Sequence, residues 1–156
     1  MKKVIFISST GGHLSELLQL KPLFKEYDFH LITEKTDSTI ALKDVYQGRM
    51  HYLVYGTKLH LLLYLFKFLF NTLKSFLLFL KIWPDVVVTT GTHTAVPMCY
   101  IAKLFRKKLI FIETFASSET ATESGKMVYP IADVFIVQWE SMLEVYPKAI
   151  YGGWIY

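Results

Sequence analysis

The chain has 156 residues, 53% of them hydrophobic, with a formal net charge of +4 and one cysteine, Cys99. One cysteine excludes an internal disulfide and a cysteine metal cluster, and it fits a reducing compartment. The length suits one domain with its own core, yet a mean hydropathy of +0.33 is high for a soluble domain, so some apolar surface is expected to meet something other than water.

In chain order, residues 3–8 read as a buried strand, with Lys2 and Lys3 leading directly into Val4-Ile5-Phe6-Ile7. That run is too short for a signal-peptide core, so the chain is expected to stay on the cytoplasmic side. Residues 13–26 read as a helix with Leu14, Leu17, Leu18 and Leu20 on one face. Further strands are expected at 27–33, 50–55, 85–90, 108–113 and 133–138, and helices at 38–47, 59–80, 94–105 and 120–131. Continuous apolar strands alternating with helices predict an α/β fold: a single Rossmann-like domain over residues 1–156, with a mostly parallel sheet covered on both faces. In such a fold, ligands bind at the carboxyl ends of the strands.

Residues 59–80 are long enough to cross a bilayer. However, His60, Lys67, Lys74 and Lys81 recur every seven residues, and Asn71 is placed on the same side, which makes a polar stripe. The flanking strands must also join one sheet. An interfacial helix near 59–81 is therefore expected, with Leu62, Phe66, Phe70 and Leu77 in lipid and Lys67, Lys74 and Lys81 near the headgroups. A helix packed on the sheet with a greasy outer face and a true span are the alternatives.

Two polar loops follow strands at one rim of the sheet. Ser8-Ser9-Thr10-Gly11-Gly12-His13 opens the first helix, where glycines allow a tight turn and free N–H groups favour an anion. It does not match the dinucleotide fingerprint GxGxxG. Thr89-Thr90-Gly91-Thr92-His93-Thr94 follows the strand at 85–90, and Glu113-Thr114 ends the strand at 108–113. His13, His93 and Glu113 thus share a rim, as a catalytic or sugar-binding group or as a structural network. His30, His51 and His60 are read as structural. No spacing supports a metal site, and no nucleic-acid motif accompanies the basic charge.

These motifs carry a resemblance. Ser9 to His13 resembles the first glycine loop of inverting, two-Rossmann-domain (GT-B) glycosyltransferases acting on lipid-diphosphate acceptors. Gly91 to Pro97 and Ile112-Glu113 fall where that family has its next acceptor-domain motifs. Ile112-Glu113-Thr114-Phe115, Ser124-Gly125-Lys126, Asp133 to Trp139 and Tyr146-Pro147-Lys148 resemble the anchoring subunit of two-component UDP-sugar transferases. That family includes the eukaryotic dolichol-pathway subunit and bacterial capsule or exopolysaccharide counterparts. The bacterial type is nearer, because eukaryotic members usually begin with a transmembrane helix.

The resemblance implies the N-terminal half of a GT-B enzyme, peripheral on the cytoplasmic face of the membrane. It would recruit and activate a catalytic partner in a heterodimer. The UDP-sugar would sit on that partner, no cofactor on this chain, and the acceptor would be a lipid-diphosphate-linked saccharide. Thr10, Gly11, Gly12, His13, Gly91, Thr92, His93 and Lys126 would line the cleft. Where members often carry an Arg after the motif glutamate, this chain has Ser117, so Lys126 is the candidate phosphate contact. His13 would act as base or as a positioning group, and Glu113 would hold the acceptor sugar or orient His13. Trp154, Ile155 and Tyr156 would anchor the partner, or else plug this chain's own sheet. A self-sufficient UDP-sugar transferase and a purely scaffolding membrane module are the competing functions.

Overall fold

The computed structural model describes residues 1–56 and 61–155, with side chains from residue 64 onward in the second stretch. Seven strands form one sheet: β1 Lys3–Ile7, β2 Asp28–Lys35, β3 Met50–Val54, β4 Val86–Thr89, β5 Lys108–Ile112, β6 Val134–Val137 and β7 Ile150–Tyr151. Their order is β3-β2-β1-β4-β5-β6-β7, and every neighbouring pair is parallel. The chain winds outward from β1 to β3, returns to β4, and winds outward the other way. The topological switch point therefore lies between β1 and β4, where a crevice opens beyond the strand ends. The predicted α/β doubly wound fold is the one observed.

Successive residues on a strand face opposite sides, so each strand feeds two cores. Val4, Phe6 and Leu31 pack under α1 (Gly12–Gln19) with Leu17, Leu20 and Phe24. Ile5, Ile7, Ile32, Val87, Leu109 and Phe111 pack on the other side, under α3 (Leu61–Ile82) and α4 (Val96–Leu104). Burying each such large side chain contributes roughly 1.5–3 kcal/mol.

Several elements are shorter or longer than expected. The helix expected at 13–26 stops at Gln19 and continues as a 3₁₀ turn, Lys21–Lys25, because Pro22 cannot donate the amide an α-helix needs there. Of 38–47 only one turn is helical, α2 Leu42–Val45, and of 120–131 only α5 Glu123–Val128. β2 runs two residues past its expected end and so carries Glu34 into the sheet. The final turn α6 (Met142–Val145) was not expected as an element, whereas the short β7 matches the alternative in which the tail begins with a last strand of this chain's own sheet.

The long helix α3 packs on the sheet through Asn71, Ser75, Phe79 and Ile82, all buried, a spacing that keeps one face inward. This corrects the expected polar stripe. Asn71 does not lie with the lysines toward solvent. Its side-chain carbonyl accepts from the Val54 amide and its NH2 donates to the Val54 carbonyl, both at 2.8 Å, capping the edge strand β3. The opposite face exposes Phe66 (70%), Leu69, Phe70, Leu73, Leu77 and Leu80. Lys67 and Lys81 are exposed and Lys74 half-buried. At 100° per residue these lysines run along one edge of that apolar face. His60 and the side chain of Leu62 lie outside the described residues. No helix among the described residues is long and apolar enough to cross a membrane.

Candidate functional site

The loops after β1 and β4 meet at the switch point. His13, in the first turn of α1, is held from both ends by Thr90. Its Nδ1 lies 2.7 Å from the Thr90 carbonyl, and the Thr90 hydroxyl donates to the His13 carbonyl, also at 2.7 Å. A carbonyl can only accept, so Nδ1 carries the proton and, in the neutral ring, Nε2 keeps the basic lone pair. Gly91 sits beside this clamp with φ +96°, a conformation that favours glycine. A Cβ there would lie 3.2 Å from Ser124 Oγ and 3.5 Å from His13 Nδ1, so Gly91 is the spacer joining the first loop to α5.

Glu34 fastens the two loops from below. Fully buried at the end of β2, it accepts from the Thr10 amide and hydroxyl, each at 3.3 Å, and from the Thr94 hydroxyl at 2.6 Å. Burial raises the Tyr64 phenol above its usual range, and the Glu34 charge adds to the effect. His93 stacks edge-on to Tyr64 with centroids 5.5 Å apart, and its Nδ1 is 3.4 Å from the Thr92 hydroxyl.

Glu113 lies below the rim in a hydrogen-bond network of its own. It is 1% exposed, and its carboxylate accepts from the Thr114 amide (3.1 Å), the Thr122 hydroxyl (2.9 Å) and the Tyr146 hydroxyl (2.9 Å). Its carbonyl accepts from Gln138 Nε2 at 3.1 Å. Burial, then the adjacent Glu113 carboxylate, pushes the Tyr146 phenol far above its ordinary range, so it remains a donor. Among the described residues no hydrogen bond joins Glu113 to His13. Glu113 is the hub of a buried network beneath β5, β6 and α5, the structural alternative for this residue. The tight approach of Gly125 completes it, since a Cβ there would lie 2.3 Å from both Glu113 Oε2 and Tyr146 OH.

The residue linking α1 to β5 is instead Glu16, one turn after His13. It accepts from Thr114 Oγ1 at 2.8 Å and from the Phe115 amide at 3.0 Å. Glu16 and Glu34 escape sequence reasoning. The available signals were a carboxylate three residues after His13 and an acid directly after an apolar strand. Lys126 pairs with Glu123 at 2.8 Å on the exposed side of α5.

At the far rim the tail folds back on the sheet. The Gly152 amide donates to the Val137 carbonyl (2.9 Å) and the Ile155 amide to Gln138 Oε1 (3.3 Å). Ile155, half-buried, packs against the α1-side core, as in the plug alternative. Trp154 is 73% exposed and meets Phe115 edge-on at 5.5 Å, while Phe115 lies 4.8 Å from Trp139. Tyr156 lies outside the described residues. No group of three His, Cys, Asp or Glu among the described residues could hold a metal ion.

A family profile described as "Oligosaccharide biosynthesis protein Alg14 like" matches residues 56–155. The Mus musculus UDP-N-acetylglucosamine transferase subunit ALG14 is 30% identical over 177 residues, covering 97% of this chain and 82% of its own length. The Candida albicans subunit of the same name is 37% identical over 95 residues, 57% of this chain and 42% of that protein. Among solved structures, Acinetobacter baumannii MurG superposes with a TM-score of 0.73 at 18% identity, over 90% of this chain and 43% of that one. A UDP-GlcNAc 2-epimerase from Methanocaldococcus jannaschii gives 0.70 at 15% identity, over 91% of this chain and 41% of that one. At such identities the likeness concerns the fold alone, and this chain spans well under half of either enzyme. Profile and near-full-length relatives together establish that the chain belongs to the Alg14 family.

Proposed function

We propose that this chain is the acceptor-side, non-catalytic subunit of a two-component UDP-sugar glycosyltransferase. It docks on the cytoplasmic face of the membrane and recruits and activates the catalytic partner that carries the UDP-sugar. The observation that carries this reading is the similarity across 97% of the chain to a protein named as a subunit of a UDP-N-acetylglucosamine transferase. The acceptor is a lipid-diphosphate-linked saccharide, and the setting is surface polysaccharide synthesis of the bacterial capsule or exopolysaccharide type.

Three features support it. The Thr90 clamp holds His13 at the switch point, where the loops of a doubly wound sheet meet ligands. The Thr10-Gly11-Gly12 turn opens α1 beside it, and the partner would close the crevice from above. The exposed apolar face of α3, edged by lysines, has the pattern of a helix lying in a bilayer interface. Trp154, standing out from the Phe115–Trp139 pair, is the aromatic anchor suited to a partner contact.

The test is UDP-sugar transfer to endogenous lipid-linked acceptors in membranes containing this chain alone, the candidate partner alone, or both. Activity only with both supports the split enzyme. Transfer by this chain alone, lost in His13→Ala, would make it a complete transferase instead.

A further inference from the structure

The loops after β1 and β4 are tied to each other at two separate places. One tie is the His13–Thr90 clamp, reinforced by the Ser9 amide donating to the Gly91 carbonyl at 3.2 Å. The other is the side chain of Glu34. It accepts from the Thr10 amide and hydroxyl, each at 3.3 Å, on the first loop and from the Thr94 hydroxyl at 2.6 Å on the second. Thr10 comes three residues before His13, and Thr94 four residues after Thr90. A single tie leaves two loops able to pivot about it, whereas two ties at different points fix their angle as well as their distance.

Glu34 itself is held rigidly. Its strand β2 pairs with β1 on one side and β3 on the other, and its own carbonyl accepts from the Thr39 hydroxyl at 2.7 Å. The side chain is 2% exposed. The gap beside it, bounded by Tyr64, Phe68, His93 and Pro97, has about 10 Å³, no more than one water needs. Bulk water therefore does not compete for its oxygens. A buried carboxylate is costly unless hydrogen-bonded, and here the donors come from both crevice loops. Those donors are engaged before any ligand arrives, so the loops are set in advance of the reaction.

We infer that Glu34 is a positioning residue for sugar transfer. As a bridging acceptor it holds the Thr10–His13 turn and the Thr92–Thr94 segment at the separation the reaction uses. It touches no substrate and acts through the loops it joins. This inference rests on the reading of the chain as the non-catalytic half of a two-component transferase, and it adds the residue that keeps this half of the cleft in shape.

The test is steady-state transfer by this chain assembled with its catalytic partner on membranes holding the lipid-linked acceptor, with the UDP-sugar varied. Glu34→Ala should lower kcat about 10–100-fold, the scale of a group displaced by about 1 Å. KM for the UDP-sugar, whose site the reading places on the partner, and co-purification of the partner should be unchanged. Glu34→Gln should keep kcat within about threefold of wild type, because its oxygen can accept from Thr10 and its NH2 can donate to a Thr94 hydroxyl turned to accept. Thr94→Val removes only the 2.6 Å bond and keeps the side chain's shape. It should lower kcat about tenfold and add nothing further to Glu34→Ala. If Glu34→Ala does not fold, Glu34→Gln and Thr94→Val carry the test. Glu34→Gln falling far below Thr94→Val would make the charge rather than the bridge essential and overturn the assignment. A Thr94→Val variant at full rate, or a loss confined to KM or to the amount of folded protein, would overturn it as well. An active wild-type pair with equally active Glu34 and Thr94 variants refutes this inference alone, whereas a wild-type pair that transfers no sugar counts against the two-component reading.

Discussion

His13 and Thr90 hold each other across the switch point through two bonds of 2.7 Å, one to each backbone carbonyl. Because Nδ1 is committed to the Thr90 carbonyl, any chemistry of the ring passes through Nε2. His13→Asn can keep a donor near the Nδ1 position but has no basic nitrogen. If His13 supplies a base to the cleft shared with the catalytic partner, both His13→Ala and His13→Asn lower transfer by the assembled pair about 10²–10⁴-fold. Recovery of activity in His13→Asn would assign it a positioning role.

Glu113 and Gly125 make a different kind of prediction. A methyl group on Gly125 would fall 2.3 Å from Glu113 Oε2 and from Tyr146 OH, and 2.8 Å from Thr122 Oγ1. All three belong to the network that satisfies a buried carboxylate, so none can retreat without losing a bond. Gly125→Ala is expected to destabilise the fold by about 2–4 kcal/mol, combining overpacking with an uncompensated buried polar group. Chemical denaturation measures this. A shift below about 0.5 kcal/mol, the scatter of surface substitutions, would show that the network adapts.

Much of this arrangement is legible in the sequence, for identifiable reasons. Strands β1, β4, β5 and β6 announce themselves as apolar runs because both their faces are buried, and the glycine loops follow from their positions at strand ends. The partners of Glu113 are not legible. Its partners Thr122 and Tyr146 are 9 and 33 residues away, and only the folded sheet brings their hydroxyls to one carboxylate. Asn71 misled for a related reason. On the helix it lies about 40° from Lys67 and about 60° from Lys74, at the boundary between faces, and its pairing with the edge of β3 decides which way it turns.

Asn71 therefore makes a strong stability prediction. Its amide replaces a neighbouring strand for both backbone groups of Val54. Asn71→Leu adds apolar volume but leaves a backbone donor and acceptor unpaired beneath α3. A loss of about 2–4 kcal/mol is expected from two unsatisfied groups. Amide exchange at Val54 should accelerate with it. Unchanged exchange at Val54 would mean that water or a neighbour replaces the amide.

Membrane docking by α3 separates into apolar and electrostatic parts. Phe66 and Leu73 are 70% and 57% exposed, so Phe66→Glu with Leu73→Glu should spare the fold. That double variant should abolish co-sedimentation with both neutral and anionic vesicles. Lys67→Gln and Lys81→Gln should weaken binding to anionic vesicles only, by about 1 kcal/mol or roughly fivefold each, with the difference vanishing at high salt. Equal binding of the Phe66/Leu73 double variant and the wild type would remove α3 from the membrane contact.

The His30–His51 pair gives the fold an acid-sensitive spot. His30 Nδ1 and His51 Nε2 are 3.0 Å apart on adjacent strands, near Lys81 of α3, with Asp28 and Arg49 beside His30. Burial first, then the charges of His30 and Lys81, holds His51 down at about 4, against 6.5 for a free imidazole. The folded state thus binds fewer protons than the unfolded chain between those values. Stability from this group is full above pH 6.5 and is lost as the pH falls toward 4. Denaturation midpoints should fall between pH 7 and pH 5, and His51→Phe should flatten that part of the profile. An unaltered slope in His51→Phe would place the acid sensitivity elsewhere in the molecule.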